Sequence, residues 1–464
     1  MKVPVFQPLY KPTWTVLFSA FVLAGCSSLP TAQTPPAASL PETWQAPTTG
    51  AAVSQDWWRS FGSDELTGLI SQAQQQSLDV AAAVARVQQA EASARMAGAS
   101  LWPEVTGSVN ASRSGLLGGN ASLDAPAYTT GLLAKYEVDF WGRNRLQSDS
   151  AVATLRASRF DHATVQLTVA ASVASSWLQT VGAQQRADIA AGNLANAERL
   201  LAVVAARQRA GAATSLDLAQ QRGEVASLRR AFAALQQQAQ SSRITLGLLL
   251  GQAAPAAVQL RELAVLQSPT IGAGLPADLL TRRPDIARAE AQLAAAAANV
   301  GVARAAMLPS FVLSAGVGTG SERWSRWLEN PFYSLAAGLT APIFDAGRLA
   351  SGRDLALAQQ QELLANYQST IHAAAGDVET ALNAIAGADA QAAAQAEELA
   401  QAQRAFTLAE SRYRAGAETL LVLLVTQRTL YAAQDAAAQL QQARLTANVA
   451  LYRALGGGWQ PAAA

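Results

Sequence analysis

The sequence predicts a mainly α protein with a small β part, in which a short helix, a β-hairpin and a long antiparallel helical hairpin occur twice. Three observations predict it. The stretch from about Arg145 to Gln208 is helical in period and free of proline, residues 104–112 alternate between apolar and polar, and landmark residues return at an offset of 205. Composition agrees: of 464 residues, 50% are hydrophobic, 14% charged and 6% aromatic, with Ala and Gln filling long stretches. Small side chains let helices approach closely, and Gln leaves a wet, uncharged face. A formal net charge of +1 provides no field to attract nucleic acid. The single cysteine, Cys26, excludes an intrachain disulfide and a cysteine-based zinc cluster.

Residues 1–25 read as a signal peptide: Lys2 and Lys11 flank an apolar run, Trp14 to Leu23, too short to span a bilayer comfortably, and small residues follow. Leu23-Ala24-Gly25-Cys26 resembles the bacterial lipoprotein box, which implies diacylglycerol and palmitate on Cys26 as the only covalent group and no other cofactor. Ser27, rather than an aspartate, follows the cysteine, and by the same resemblance is compatible with passage to the outer membrane. Residues 26–55, with Pro30, Pro35, Pro36, Pro41 and Pro47, read as an extended tether.

A first repeat, 56–251, opens on Trp57, Trp58 and Phe61 and a helical pattern from Glu65 to about Ala99 that Pro103 ends. Its β-hairpin, 103–141, pairs Glu104–Ser112 with a strand from about Tyr128 to Phe140 across a Gly/Ser/Asn-rich loop. A helical hairpin, 145–250, follows and turns at Gly211. Ala190, Leu194, Ala197, Leu201 and Val204 have coiled-coil spacing, and about 60 residues at ~1.5 Å each make a helix of roughly 90 Å. A connection, 252–285, leads to the second repeat, 286–456. It holds a helix from Arg288 to Ala306, a hairpin at 309–344 with strands Ser310–Val317 and Tyr333–Phe344, and a helical hairpin at 352–454; a tail, 457–464, ends the chain. Arg207 to Ala212 aligns with Arg412 to Ala417, Gly142-Arg143 with Gly347-Arg348, and Leu246 and Gly251 with Leu451 and Gly456, all at 205. Trp102-Pro103 aligns with Leu308-Pro309 at 206.

Four strands cannot close a barrel, yet open sheet edges are excluded from hydrocarbon because each unpaired backbone group there costs several kcal/mol. Closure needs several chains; composition alone does not choose the number, though three would supply twelve strands, an even number within the range of outer-membrane barrels.

Longer motifs carry a family resemblance. Arg282-Arg283-Pro284-Asp285-Ile286 with Ala289-Glu290, Leu293 and Ala305 is similar to the central motif of the nodulation-type (NodT-like) outer-membrane factors, lipoproteins of the TolC-like outer-membrane efflux channel family. Trp57-Trp58 with Phe61, Leu66, Leu69 and Ile70 resembles that family's opening motif, and Leu451-Tyr452-Arg453-Ala454-Leu455-Gly456-Gly457-Gly458-Trp459 its ending. The resemblance implies a homotrimer in the lipid of a Gram-negative outer membrane: a twelve-stranded β-barrel continued by a twelve-helix α-barrel tunnel in the periplasm, ringed by an equatorial region to which the termini and 252–285 contribute. It implies passive transport of small molecules or drugs, as in multidrug efflux, delivered by a periplasmic adaptor and an inner-membrane resistance-nodulation-division transporter. The same architecture also serves type I protein secretion, which remains the alternative, and a pore-free coiled-coil lipoprotein is a third reading.

Extracellular loops then fall at about 113–128 and 319–332 and periplasmic tips near Gly211 and Gly416, which places adaptor contact at Arg207, Arg209, Gly211, Arg412, Arg414 and Gly416. Relatives close the periplasmic end partly with aspartates just past the second tip. Here those places are Val422 and Val425, within Leu420-Leu421-Val422-Leu423-Leu424-Val425, while the first repeat has Asp217 at the position of Val422. Leu421, Val422, Leu424, Val425 and Asp217 are therefore the gate candidates, either as a hydrophobic constriction that resists hydration or as ordinary interhelical packing.

Other signals point away from chemistry. His162 and His372 lie in separate helices without an acid or cysteine at ligand spacing, so a metal site is not expected. The Gly316 to Gly320 run follows a strand toward a surface loop and reads as turn formation, and no nucleophile elbow, Walker sequence or dinucleotide fingerprint is present. Asp285 and Glu290, among Arg282, Arg283 and Arg288, read as a structural ion network, and Trp324, Trp327, Phe332 and Tyr333 as an outer aromatic girdle. The chain reads as a conduit, not an enzyme.

Overall fold

The computed structural model describes residues 40–45, 50, 53–114 and 125–460. Cys26, the signal region, most of the tether, the tip of the first extracellular loop and the last four residues lie outside them.

The two repeats are the same length where it matters most. Helices α1 (Asp64–Gln76) and α2 (Leu78–Ala99) precede strands β1 (Glu104–Ser114) and β2 (Ala125–Val138), then α3 (Arg143–Arg209) and α4 (Ser215–Leu249). After the connection come α5 (Pro284–Ala305), β3 (Ser310–Ser321), β4 (Pro331–Thr340), α6 (Arg348–Arg414) and α7 (Leu420–Ala454). α3 and α6 each have 67 residues, about 100 Å of helix, and α4 and α7 each have 35. Both tips turn the same way. Gly211 and Gly416 take positive φ of 73° and 80°, and Ala212 and Ala417 N–H donate back to the Arg207 and Arg412 carbonyls, closing a Schellman-type cap.

Several predicted boundaries move, each for a local reason. The continuous helix predicted over Glu65–Ala99 is broken at Ser77, whose extended backbone (ψ 127°) starts a new helix. The last strand stops at Thr340 rather than Phe344, because Pro342 has no N–H to continue a ladder. The tether ends sooner than position 55: Trp44 is buried, and its indole N–H donates to the Gly274 carbonyl at 2.9 Å.

One antiparallel sheet in the order β1-β2-β3-β4 joins the two repeats, leaving β1 and β4 as edges. The main apolar core lies at mid-length of the long helices, where Trp57, Phe61, Ile70, Trp177, Ile371 and Leu451 pack together. Trp57 stacks on Tyr452 with ring centroids 5.0 Å apart, and the Ser60 and Tyr452 hydroxyls share a hydrogen bond of 3.0 Å. The opening and closing motifs thus form one contact. Gly456 to Gly458 all take positive φ, and a Cβ at Gly456 would overlap the Arg282 carbonyl. Only glycine permits that approach.

Candidate functional site: sheet faces, equator and helix tips

The register sorts side chains by face. Val105, Ala134, Ala315 and Leu335 are in line, as are Gly107, Leu132, Val317 and Tyr333, and Phe311 lies between Val138 and Leu339. The opposite face carries Thr106, Leu133, Gly316 and Ser334 in one row and Glu104, Lys135, Ser314 and Ala336 in another. One face is apolar and the other small and polar, yet neither is covered by a helix. On the apolar face Tyr333, Leu335 and Leu339 are 79%, 76% and 70% exposed in the single chain. Tyr128 to Val138 is eleven residues, about 33 Å of strand from first to last, which at the usual barrel tilt gives a band of about 25 Å. That is the height of an outer-membrane hydrocarbon belt.

Aromatic rings mark both ends of the band. At the outer end Tyr128 meets Trp324 edge-on at 5.6 Å, and Trp324 stacks on Trp327 at 5.7 Å. At the inner end Phe140 meets Phe311, and exposed Trp102 and Phe344 sit near the strand bases. Sequence reasoning missed this inner set, although Trp102 and Trp141 stand beside Pro103 and Gly142, the residues that end the strands. Trp141 donates its indole N–H to the Pro309 carbonyl at 2.7 Å and ties the two hairpin bases together.

The same bases launch the long helices. The Asp139 carboxylate accepts from the Asn144 and Arg145 N–H groups, and Asp345 from those of Gly347 and Leu349. An anion at a helix start satisfies free donors and complements the helix dipole. Neither acid was singled out from sequence, since an aspartate before a helix is a common pattern.

At the equator the central motif separates into parts. Arg283, buried, donates to Asp285 (2.6 Å), Asp377 (3.2 Å) and the Ala454 carbonyl at the end of α7 (3.0 Å). Arg282 pairs with Asp278, and Pro284 begins α5, where a missing N–H costs nothing. Arg288 pairs with Asp161 at 2.7 Å. The single network predicted for Asp285 and Glu290 is corrected: Glu290 is exposed, lies beside Tyr367 and takes no part in the Arg283 cluster. Burial pushes the Asp285 carboxyl up, but hydrogen bonds and charge from Arg283, with the Ile286 N–H, outweigh it and hold it below the usual carboxylate range. A depressed carboxylate contributes stability that is complete above its unfolded value, about 3.9, and is lost as pH falls through the folded one. Thermal unfolding midpoints attributable to this cluster should therefore hold from pH 7 to about 4 and drop below. A loss beginning near neutrality would remove Asp285 as its source.

At the tips the gate candidates divide. Leu421, Val422 and Val425 are exposed, whereas Leu424 is buried with Leu420, Leu423, Val204 and Tyr413. Leu424 packs, so its assignment to the gate is corrected. Asp217 has a local role as well: its carboxylate accepts from the Thr214 N–H at 2.8 Å, and its own N–H donates to the Thr214 hydroxyl, a capping box at the start of α4. Val422 keeps only the reciprocal half, donating its N–H to Thr419.

The tip arginines also differ among themselves. Arg207 is half-buried, donates to the Tyr413 carbonyl at 2.6 Å and lies 4.8 Å from the centre of that ring, so it clamps hairpin to hairpin instead of facing outward. Arg412 pairs with Glu418 and Arg414 with Glu410, while Arg209 reaches the Ala205 carbonyl; Arg209, Arg412, Arg414, Gly211 and Gly416 are exposed. No group of acids, histidines or cysteines among the described residues is arranged to hold a metal.

A bare apolar belt, a polar inner face, two free sheet edges and paired 67-residue helices define a subunit of a membrane channel with a helical extension. The profile of the outer membrane efflux protein family matches residues 69–252 and 275–457, one block per repeat, and the chain belongs to that family. It is an outer-membrane efflux channel subunit that reaches into the periplasm. The pyoverdine export outer membrane protein OpmQ of Pseudomonas aeruginosa is 49% identical over 96% of both chains. The cation efflux system protein CusC of Escherichia coli O6:H1 is 33% identical over 95% of this chain and 97% of its own. A solved structure of CusC superposes with a TM-score of 0.85 at 31% identity, covering 93% of this chain and all of that one.

Proposed function

We propose that three copies close edge to edge into a twelve-stranded barrel, anchored by diacylglycerol and palmitate on Cys26, and conduct cargo passively from a periplasmic adaptor and an inner-membrane resistance-nodulation-division transporter. The observation that carries this is the sheet: β1 and β4 each leave a free edge beside an apolar face that hydrocarbon alone would cover favourably. The name of the P. aeruginosa relative, at 49% identity, supports pyoverdine or a similar secreted compound as cargo. Planar-bilayer recording together with native mass spectrometry of the purified protein tests the channel. Discrete conductance from a trimer is expected, and monomers without conductance under any opening condition would end the proposal. Palmitate labelling tests the anchor: Cys26→Ala should abolish incorporation of the label, and continued labelling would rule the site out.

Adaptor contact is assigned to the exposed tip groups Arg209, Arg412 and Arg414 around Gly211 and Gly416. The gate is assigned to Leu421, Val422 and Val425, a narrow apolar ring that resists wetting. Val425→Asp should raise cation-over-anion permeability by roughly twofold or more, because three carboxylates would then line the constriction. An unchanged reversal potential in a salt gradient would assign Val425 to packing.

A further inference from the structure

Two hairpins meet inside one chain, and their contact is a template for the contact between chains. α3 packs against α7. Arg186 bonds Asp435 at 2.6 and 3.1 Å, and one turn of α7 nearer the tip the Tyr431 hydroxyl donates to the Asn193 carbonyl (3.1 Å) and accepts from Gln427 Nε2 (2.8 Å). The bounds of α3 and α6, and of α4 and α7, are related by the same 205-residue offset. Carrying the α3 and α7 packing through that offset puts α6 in the place of α3 and α4 in the place of α7. The α4 concerned belongs to a second copy, because α4 and α6 lie at opposite ends of the row α4-α3-α7-α6.

The residues in the corresponding positions differ in kind. Gln427 becomes Arg222, Tyr431 becomes Ala226 and Asn193 becomes Glu398. Inside the chain the three are neutral and buried; at the outer faces they are a cation, a methyl group and an acid, all exposed. The side chain of neither Arg222 nor Glu398 forms an ion pair or hydrogen bond with another described residue. In the template, Gln427 Nε2 and the Asn193 backbone carbonyl oxygen both lie within 3.1 Å of one hydroxyl, so the side chain at the first position comes close to the backbone at the second, near enough for a long arginine and a glutamate placed there to meet. Ala226 leaves empty the volume that the Tyr431 ring fills, which gives the longer guanidinium its path.

We infer that Arg222 of one subunit pairs with Glu398 of the next, once at each boundary of the assembly. The inference rests on the trimeric reading and adds the helix faces and charges that recognise the second copy. The other bridges have no counterpart across the boundary: Glu224 and Arg428, 2.5 Å apart in the chain, correspond to Thr429 and Gly223, and Arg186 and Asp435 to Gln391 and Arg230. Among the described positions carried through the offset, the Arg222–Glu398 pair is thus an ionic contact that sets register between subunits, and being exposed it is screened by salt.

The test uses the full-length chain in its own membranes with Arg222→Cys and Glu398→Cys combined, treated with a short bismaleimide. Covalent dimers and trimers on a denaturing gel are expected, absent from either single variant. Native trimers that yield only monomers on that gel would overturn the pairing while leaving the trimer standing; absence of native trimers would overturn both. In uncrosslinked protein, Arg222→Glu or Glu398→Arg alone should weaken trimer association on the order of tenfold, since three boundaries each trade an attraction for a repulsion. The double exchange should return it to within about twofold of the parent. Failure of the double exchange to restore assembly would also overturn the pairing.

Discussion

Replacing Arg283 with methionine should destabilise the folded subunit by about 3 kcal/mol, because it removes the one cation shared by Asp285, Asp377 and the end of α7. The guanidinium side chain is 10% exposed while Asp285 and Asp377 are 21% and 45% exposed, so the acids left behind are partly relieved by water and the cost falls at the lower end for a broken buried pair. Burial opposes the charge on Arg283, but the two carboxylates outweigh it and hold the guanidinium above its usual range, so no neutral form relieves the site. Denaturant unfolding with an unchanged slope measures the loss. A change under about 1 kcal/mol would mean that the apolar contacts of Leu279 and Ile286 hold the equatorial connection without the arginine.

Placing arginine at Val317 should cost about 2–4 kcal/mol per subunit, as for a cation at mid-depth on the lipid face of a barrel. Val317 lies between Leu132 and Tyr333 near the middle of the apolar band and is 59% exposed in the single chain. Thr106→Arg, at a similar depth on the polar face, is the matched control and should insert normally. Heat-resistant trimer in outer-membrane fractions reads both. Equal tolerance of the two variants would reverse the assignment of faces, whereas loss of the Val317 variant alone supports it.

Repeat order and helix length are set by local rules that a sequence exposes directly. The proline-free periodicity, the glycines at 211 and 416 and the 205-residue offset act within a few turns of chain, and α3 and α6 come out at 67 residues each. Strand faces follow from alternation alone in β1, where Val105, Gly107 and Val109 oppose Thr106, Ser108 and Asn110. The motif at 282–285 was legible as an arginine-acid cluster, but its acceptors, Asp377 and the Ala454 carbonyl, lie 94 and 171 positions away. No local pattern contains them.

The tip shows the same division most sharply. Sequence alone determined that the second tip is followed by leucines and valines where the first has Asp217, and that the anchor candidate is Cys26. Only the tertiary structure decided which of those apolar residues face outward, that Leu424 belongs to a packed cluster, that Asp217 is a helix cap, and that Arg207 grips Tyr413. Composition fixes what a helix face is made of, because side-chain chemistry is local. Which neighbour covers that face depends on the rotation of one hairpin against another, and contacts separated by about half the chain set that rotation.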